Sequence, residues 1–190
     1  MLDNTLALTN EVPTKSLAAL VDWCGPFSRE EALPASFDYE DGLYMVTGKL
    51  PYQRTVSLQY IGLASLLSRR LTAPHHKIGL VTKDTKLWIG SVASPRTPGR
   101  KIKVTDKMLD LVEWAHIYYL QLPLNSKKRA TPPDYPIMIL NRWWTQDGEK
   151  QRRQRPHSKW PDLIDVVGEE YKTKIVWFGG RQTVTNWRQA

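Results

Sequence analysis

Between Thr105 and Pro123 the apolar residues Met108, Leu111, Val112, Ala115, Tyr118 or Tyr119 and Leu122 recur at helical spacing, with Thr105 placed to cap the start and Pro123 to stop the end. A helix with one apolar stripe must bury it against another layer. The material for that layer lies upstream. Residues 42–47 form a short apolar run and 48–54 carry turn residues. Residues 55–61 alternate Val56, Leu58 and Tyr60 against Ser57, Gln59 and Ile61, which predicts a β-hairpin with a long loop. Residues 63–71 suit a short helix that ends before Pro74, and 86–93 suit a third strand. The expected fold class is α+β, with a small mixed or antiparallel three-stranded sheet flanked by helices.

The flanks read as elaborations of that unit. Residues 1–41 look like an acidic N-terminal arm with one or two helices, because 17–23 are apolar and Ser28-Arg29-Glu30-Glu31 matches a capping box. The unit itself spans 42–126. From 127 to 190 a basic C-terminal extension is expected to pack on it, with a strand at 137–140 and a β-hairpin at 174–178 and 182–186 around Gly179-Gly180-Arg181. A chain of 190 residues fits one such elaborated domain.

Charge is unevenly shared. Residues 1–41 hold two Lys/Arg and eight Asp/Glu, which leaves 25 basic and 11 acidic residues for the rest. A surplus of that size attracts polyanions, nucleic acid foremost. The single cysteine, Cys24, excludes an internal disulfide and a cysteine-rich zinc cluster, which points to a reducing, cytoplasmic setting. No stretch approaches the ~18 apolar residues of a membrane span, and the acidic start lacks a signal peptide's pattern. A soluble protein with no membrane partner is expected.

Two short strings carry chemistry, Gly42-Leu43-Tyr44 and Tyr60-Ile61-Gly62, followed ten residues after Tyr60 by Arg70 and later by Glu113 and Pro123-Leu124-Asn125. In order and spacing they resemble the GIY-YIG nuclease family over somewhat under half of the chain. The resemblance implies two tyrosines on the first two strands, an arginine on the next helix and a metal-binding glutamate on a later one. Leucine stands at 43 where the family has isoleucine. Pro74 stands where members often have a histidine, and His75 and His76 follow it, so either of them fills that role.

The implied chemistry is hydrolysis of DNA phosphodiester bonds with Mg²⁺, with Mn²⁺ as its substitute. Glu113 would hold the cation, which commonly keeps several waters and needs only one or two protein carboxylates. Tyr44 is the general-base candidate, with Tyr60 orienting water or polarising the first phenol, and a phenol that titrates near pH ~10 needs cationic neighbours to do this. Arg70 would clamp the phosphate with its planar fork. Asn125 would orient the glutamate, a bound water or a loop.

Lys49, Arg54, Arg69, Lys101, Lys103, Lys127, Lys128, Arg129, Arg152, Arg153 and Arg155 are candidates for phosphate-positioning contacts, which set affinity and register more than sequence choice. Trp143 and Trp144 suit a core better than base stacking. Glu113 and His116 have Glu-x-x-His spacing, but a di-iron bundle needs two such pairs on four helices. No phosphate loop and no Ser-His-Asp or Cys-His arrangement stands out. A double-strand cutter would call for a homodimer, with the arm as a candidate interface. The competing expectations are a catalytically inactive DNA-binding protein of the same fold and a module that docks an acidic protein partner.

Overall fold

The computed structural model describes residues 17–39, 41–72, 76–93, 104–166 and 172–186. Its strands are β1 (Leu17–Phe27), β2 (Gly42–Lys49), β3 (Ser57–Ala64), β4 (Lys83–Ala93), β5 (Ile137–Trp144), β6 (Leu163–Val166), β7 (Lys172–Trp177) and β8 (Arg181–Asn186). All eight join one curled, half-barrel sheet in the order β3-β2-β4-β1-β5-β6-β7-β8. This corrects the expected three-stranded sheet flanked by helices. The hairpin at 42–61 and the strand after it are present as β2, β3 and β4, but they make up only one end of the larger sheet.

The difference comes from residues 17–23, which form the first part of β1 where a helix was expected. Within this strand Ala19, Val21 and Trp23 face inward on every second position, with Leu17 packed against the same cluster, while Ala18 and Leu20 leave the other face apolar as well. A strand enclosed by neighbours reads as a continuous apolar run, so period alone does not separate it from a helix. β1 lies antiparallel to β4 and parallel to β5, and so joins the β2–β4 end to the C-terminal strands.

Among the described residues the sheet is accompanied by the α-helices α1 (Arg29–Ala35), α2 (Leu67–Thr72), α3 (His76–Gly79) and α4 (Asp106–Leu120) and by a 3-10 turn at Ser36–Asp38. The capping box of α1 is complete, with Ser28 Oγ accepting from the Glu31 amide and Glu31 Oε2 from the Ser28 amide. Thr105 caps α4 by accepting from the Met108 amide, and Gln121 ends it in the left-handed region.

Alternation along β2 divides the interior. Leu43 and Met45 pack with Val21, Trp23 and Ile61 beneath Met108, Leu111, Val112 and Ala115 of α4. Tyr44 and Val46 face the other way, onto Ala32 of α1, Leu67 of α2 and Ile78 of α3. After α4 the chain crosses the outer edge of β3, placing Leu122 in the first cluster and Leu124 against the second. There the Leu124 amide donates to Gln59 O, and the Asn125 side chain both accepts from and donates to the Ile61 backbone at 3.0 and 2.8 Å. An edge that would otherwise present unpaired backbone groups is partly closed this way.

A polar group sits inside the first cluster. Asn141 Oδ1 accepts from Trp23 Nε1 at 2.8 Å, and Asn141 Nδ2 donates to Pro161 O. His116, fully buried, has Nδ1 2.7 Å from Val112 O and Nε2 3.1 Å from Asn141 Oδ1. Burial pushes its pKa below the ordinary value of 6.5, with the two hydrogen bonds opposing. Burial shifts His157 in the same direction. The unfolded chain therefore takes up protons near pH ~6 that the folded chain refuses, so stability is full above about pH 6.5 and is lost as pH falls. Urea unfolding from about pH 5.5 to 7.5 should show this slope, at most ~1.4 kcal/mol per pH unit for each group. It should be shallower in His116→Gln, and an unchanged slope there would assign the dependence to other residues.

Candidate functional site

Tyr44 of β2 and Gly62 of β3 are direct cross-strand partners. The ring of Tyr44, with no exposed surface, lies across the glycine, and a Cβ on Gly62 would come within 2.4 Å of Tyr44 Cζ and Oη. The glycine that closes the second string thus makes room for the tyrosine that closes the first. Gly62→Ala should cost about 1–3 kcal/mol as an overpacking change and push the phenol out of place. A chemical-denaturation midpoint equal to wild type would contradict that packing.

Tyr60 lies on the same face as Tyr44, with ring centroids 5.8 Å apart at 42°. Arg70 reaches in from α2, and its Nε donates to the Tyr44 hydroxyl at 3.3 Å. Burial pushes the Tyr44 phenol well above its ordinary pKa, the neighbouring Tyr60 adds to the rise, and Arg70 offsets part of it. Conversely, the hydrogen bond with Tyr44 raises Arg70. The phenol of Tyr44 is consequently protonated at neutral pH in this arrangement. It accepts from the guanidinium and keeps its own proton to donate.

Beside these groups is an open depression of about 410 Å³ lined by Leu63, Ala64, Ser65, Leu66, Arg69 and Arg70. Arg69 shares it with Arg70, its neighbour on α2. Both arginines are exposed. Two guanidiniums at one depression suit a phosphodiester, since each offers a planar set of donors and a permanent charge. His75 lies outside the described residues, and His76 opens α3.

Glu113 and Asn125 are not gathered there. Glu113 is on α4, which packs against the sheet face opposite Tyr44 and Tyr60. Its Oε2 accepts from Lys128 Nζ at 2.7 Å, and the same ammonium bonds Asp110 Oδ1 at 2.5 Å. Burial works against the Lys128 charge, but the two carboxylates outweigh it and hold its pKa above the ordinary value. A carboxylate neutralised by a lysine on the far face does not fit a cation shared with Tyr44 and Arg70. Asn125 binds the Ile61 backbone, so its observed contact is with the strand and not with Glu113.

The expected basic contacts divide into two groups. Arg54, Arg69, Lys127, Arg129, Arg152 and Arg153 are exposed, Arg152 lying over the Trp88 ring at 5.5 Å. Lys49 pairs with Asp84, Lys128 with Asp110 and Glu113, and Arg155 with Asp162. Lys101 and Lys103 lie outside the described residues. Trp143 is buried, while Trp144 is half-buried and donates to Asp22. His116 is committed to Val112 and Asn141, which leaves no Glu-x-x-His pair facing a ligand.

Missing from the sequence reading was the partnership of Arg69 with Arg70. The adjacent arginines were its only signal. No helix among the described residues is long and apolar enough to cross a membrane. No protein-family model, curated protein or solved structure matches this chain.

Proposed function

We propose that this chain hydrolyses DNA phosphodiester bonds as an endonuclease, with Tyr44, Tyr60 and Arg70 at its reacting centre. One observation carries the proposal: the two tyrosines of the paired strings and the arginine of the following helix meet, with Arg70 Nε 3.3 Å from the Tyr44 hydroxyl, beside a depression that Arg69 also lines. Arg69 and Arg70 hold the scissile phosphate and stabilise the charge that builds on it. Tyr44, kept protonated and fully buried, accepts from Arg70 and so fixes the guanidinium at the depression. At the open depression the attacking water loses its proton to bulk solvent, and solvent returns one to the leaving oxygen.

The resemblance to GIY-YIG nucleases implies Mg²⁺ or Mn²⁺, which would activate the water and neutralise the phosphate. Glu113, paired with Lys128 on the opposite face, does not fit that duty in the arrangement described, and no step is assigned through the cation. A catalytically inactive DNA-binding protein is the second reading, favoured by that ion pair and by the full burial of Tyr44.

Supercoiled plasmid separates the two when it is incubated with Mg²⁺, with Mn²⁺ and with chelator. Cutting that chelator stops supports the enzyme, and nicked against linear product tells whether one copy or a homodimer acts. Salt-sensitive binding without cutting in either cation selects the second reading. Absence of both binding and cutting overturns the two together.

A further inference from the structure

From the ribbon that ends the sheet we infer a groove-reading element for duplex DNA, formed by the outward face of β7 and β8. This deepens the proposed function, on which it rests for its partner. β8 is the last strand, and among the described residues nothing pairs with its outer edge. The inward face of the ribbon is anchored: Thr173, Ile175 and Trp177 are buried, Tyr119 and Thr173 share a hydrogen bond of 3.1 Å, and Arg181 covers the Trp177 ring at 4.3 Å. What remains outward is fixed by register. Lys174 pairs with Val184 and Val176 with Gln182, and cross-strand partners share a face. Lys172, Lys174, Gln182 and Val184 are all exposed.

The chemistry of that face suits a major groove. Lysine reaches phosphates or guanine, glutamine can pair both edge atoms of adenine, and a branched apolar side chain meets the thymine methyl. No carboxylate occurs from Lys172 to Asn186, a stretch with three basic residues. On the adjoining strand Asp165 is the register partner of Lys174, so one carboxylate borders the face and balances part of the Lys174 charge. A two-stranded ribbon fits the width of the B-form major groove, and six residues span about 20 Å, or roughly six base pairs. The deep, narrow major groove of A-form RNA does not admit it. Single strands are held mainly by aromatic platforms, whereas this hairpin exposes one aromatic, Phe178, at the turn after β7. Buried inward side chains hold β7 in place, and β8 pairs along it while staying exposed from Arg181 to Val184.

The test is binding of fluorescent duplex DNA in chelator, which reads the ribbon whether or not the chain cuts. A pool of randomised duplexes gives base preference, and a salt series gives the slope of log K against log [salt]. Lys172→Ala/Lys174→Ala should lower that slope by about 0.9 for each lysine in contact with phosphate. Gln182→Ala should leave the slope unchanged and relax discrimination at one base pair by roughly 5- to 150-fold. All three side chains are exposed, so unfolding midpoints should match wild type and separate lost contacts from lost fold. Slopes and preferences equal to wild type in both variants would overturn the ribbon assignment and leave the nuclease proposal intact. A wild-type chain that prefers single-stranded DNA or double-stranded RNA would overturn it as well. Duplex preference without cutting in any cation would retain the ribbon and remove the nuclease.

Discussion

Arg70→Ala is expected to cut plasmid DNA about 10²- to 10³-fold more slowly than wild type, the loss typical when a donor aimed at developing charge is removed. Two effects combine. The phosphate loses a forked cation beside Arg69, and the buried Tyr44 phenol loses the neighbour that offsets its rise in pKa. Arg70→Lys should recover only part of the rate, because an ammonium keeps the charge but not the planar fork. Arg70 is exposed, so the unfolding midpoint should barely move. Cleavage rates under saturating DNA give the answer, and wild-type turnover in Arg70→Ala would remove the centre proposed above.

The largest change in stability is expected from Trp160→Ala, at about 3–5 kcal/mol. Trp160 belongs to no strand or helix, yet it is fully buried and meets Trp23, Trp143 and Trp88 edge-on at centroid distances of 4.8, 6.0 and 6.1 Å. Those rings come from β1, β5 and β4 and share the cluster that α4 covers. Truncation leaves a cavity that three stiff indoles cannot fill. Since domains commonly hold only about 5–15 kcal/mol, the change would consume a large share of the margin. Urea unfolding measures it, and a loss below about 1 kcal/mol would show that the half-barrel closes over the gap.

Much of the local structure was legible before the fold. The turn residues after 47 placed the β2–β3 hairpin, capping residues placed α1 and α4, and Tyr44 and Tyr60 of the paired strings do meet Arg70. The alternation over 55–61 fails, because a register shift puts Leu58 and Tyr60 in different clusters. The sheet was not legible, because pairing between distant strands leaves no periodic mark. Nothing about Leu20 announces that it lies between Ala93 and Leu140. The same blindness affected Glu113. Its place at the edge of a helical stripe was readable, but not which sheet face would receive that helix or that Lys128 would claim the carboxylate.

The parallel pairing of β1 with β5 has a further consequence for how the chain acquires its shape. Asp22 and Arg142, bonded across those strands at 2.8 and 2.7 Å, are 120 residues apart, so one side of an early strand waits for most of the chain to be made. Loop closure on that scale comes before any reward from the contact, and topologies rich in such pairings fold slowly. During synthesis the strand is made well before β5 and until then stays half-matched, with an open edge that a chaperone or a neighbouring nascent chain can bind. The joint that makes eight strands one sheet is also a place where the newborn polypeptide stays open to the wrong partner until β5 is made.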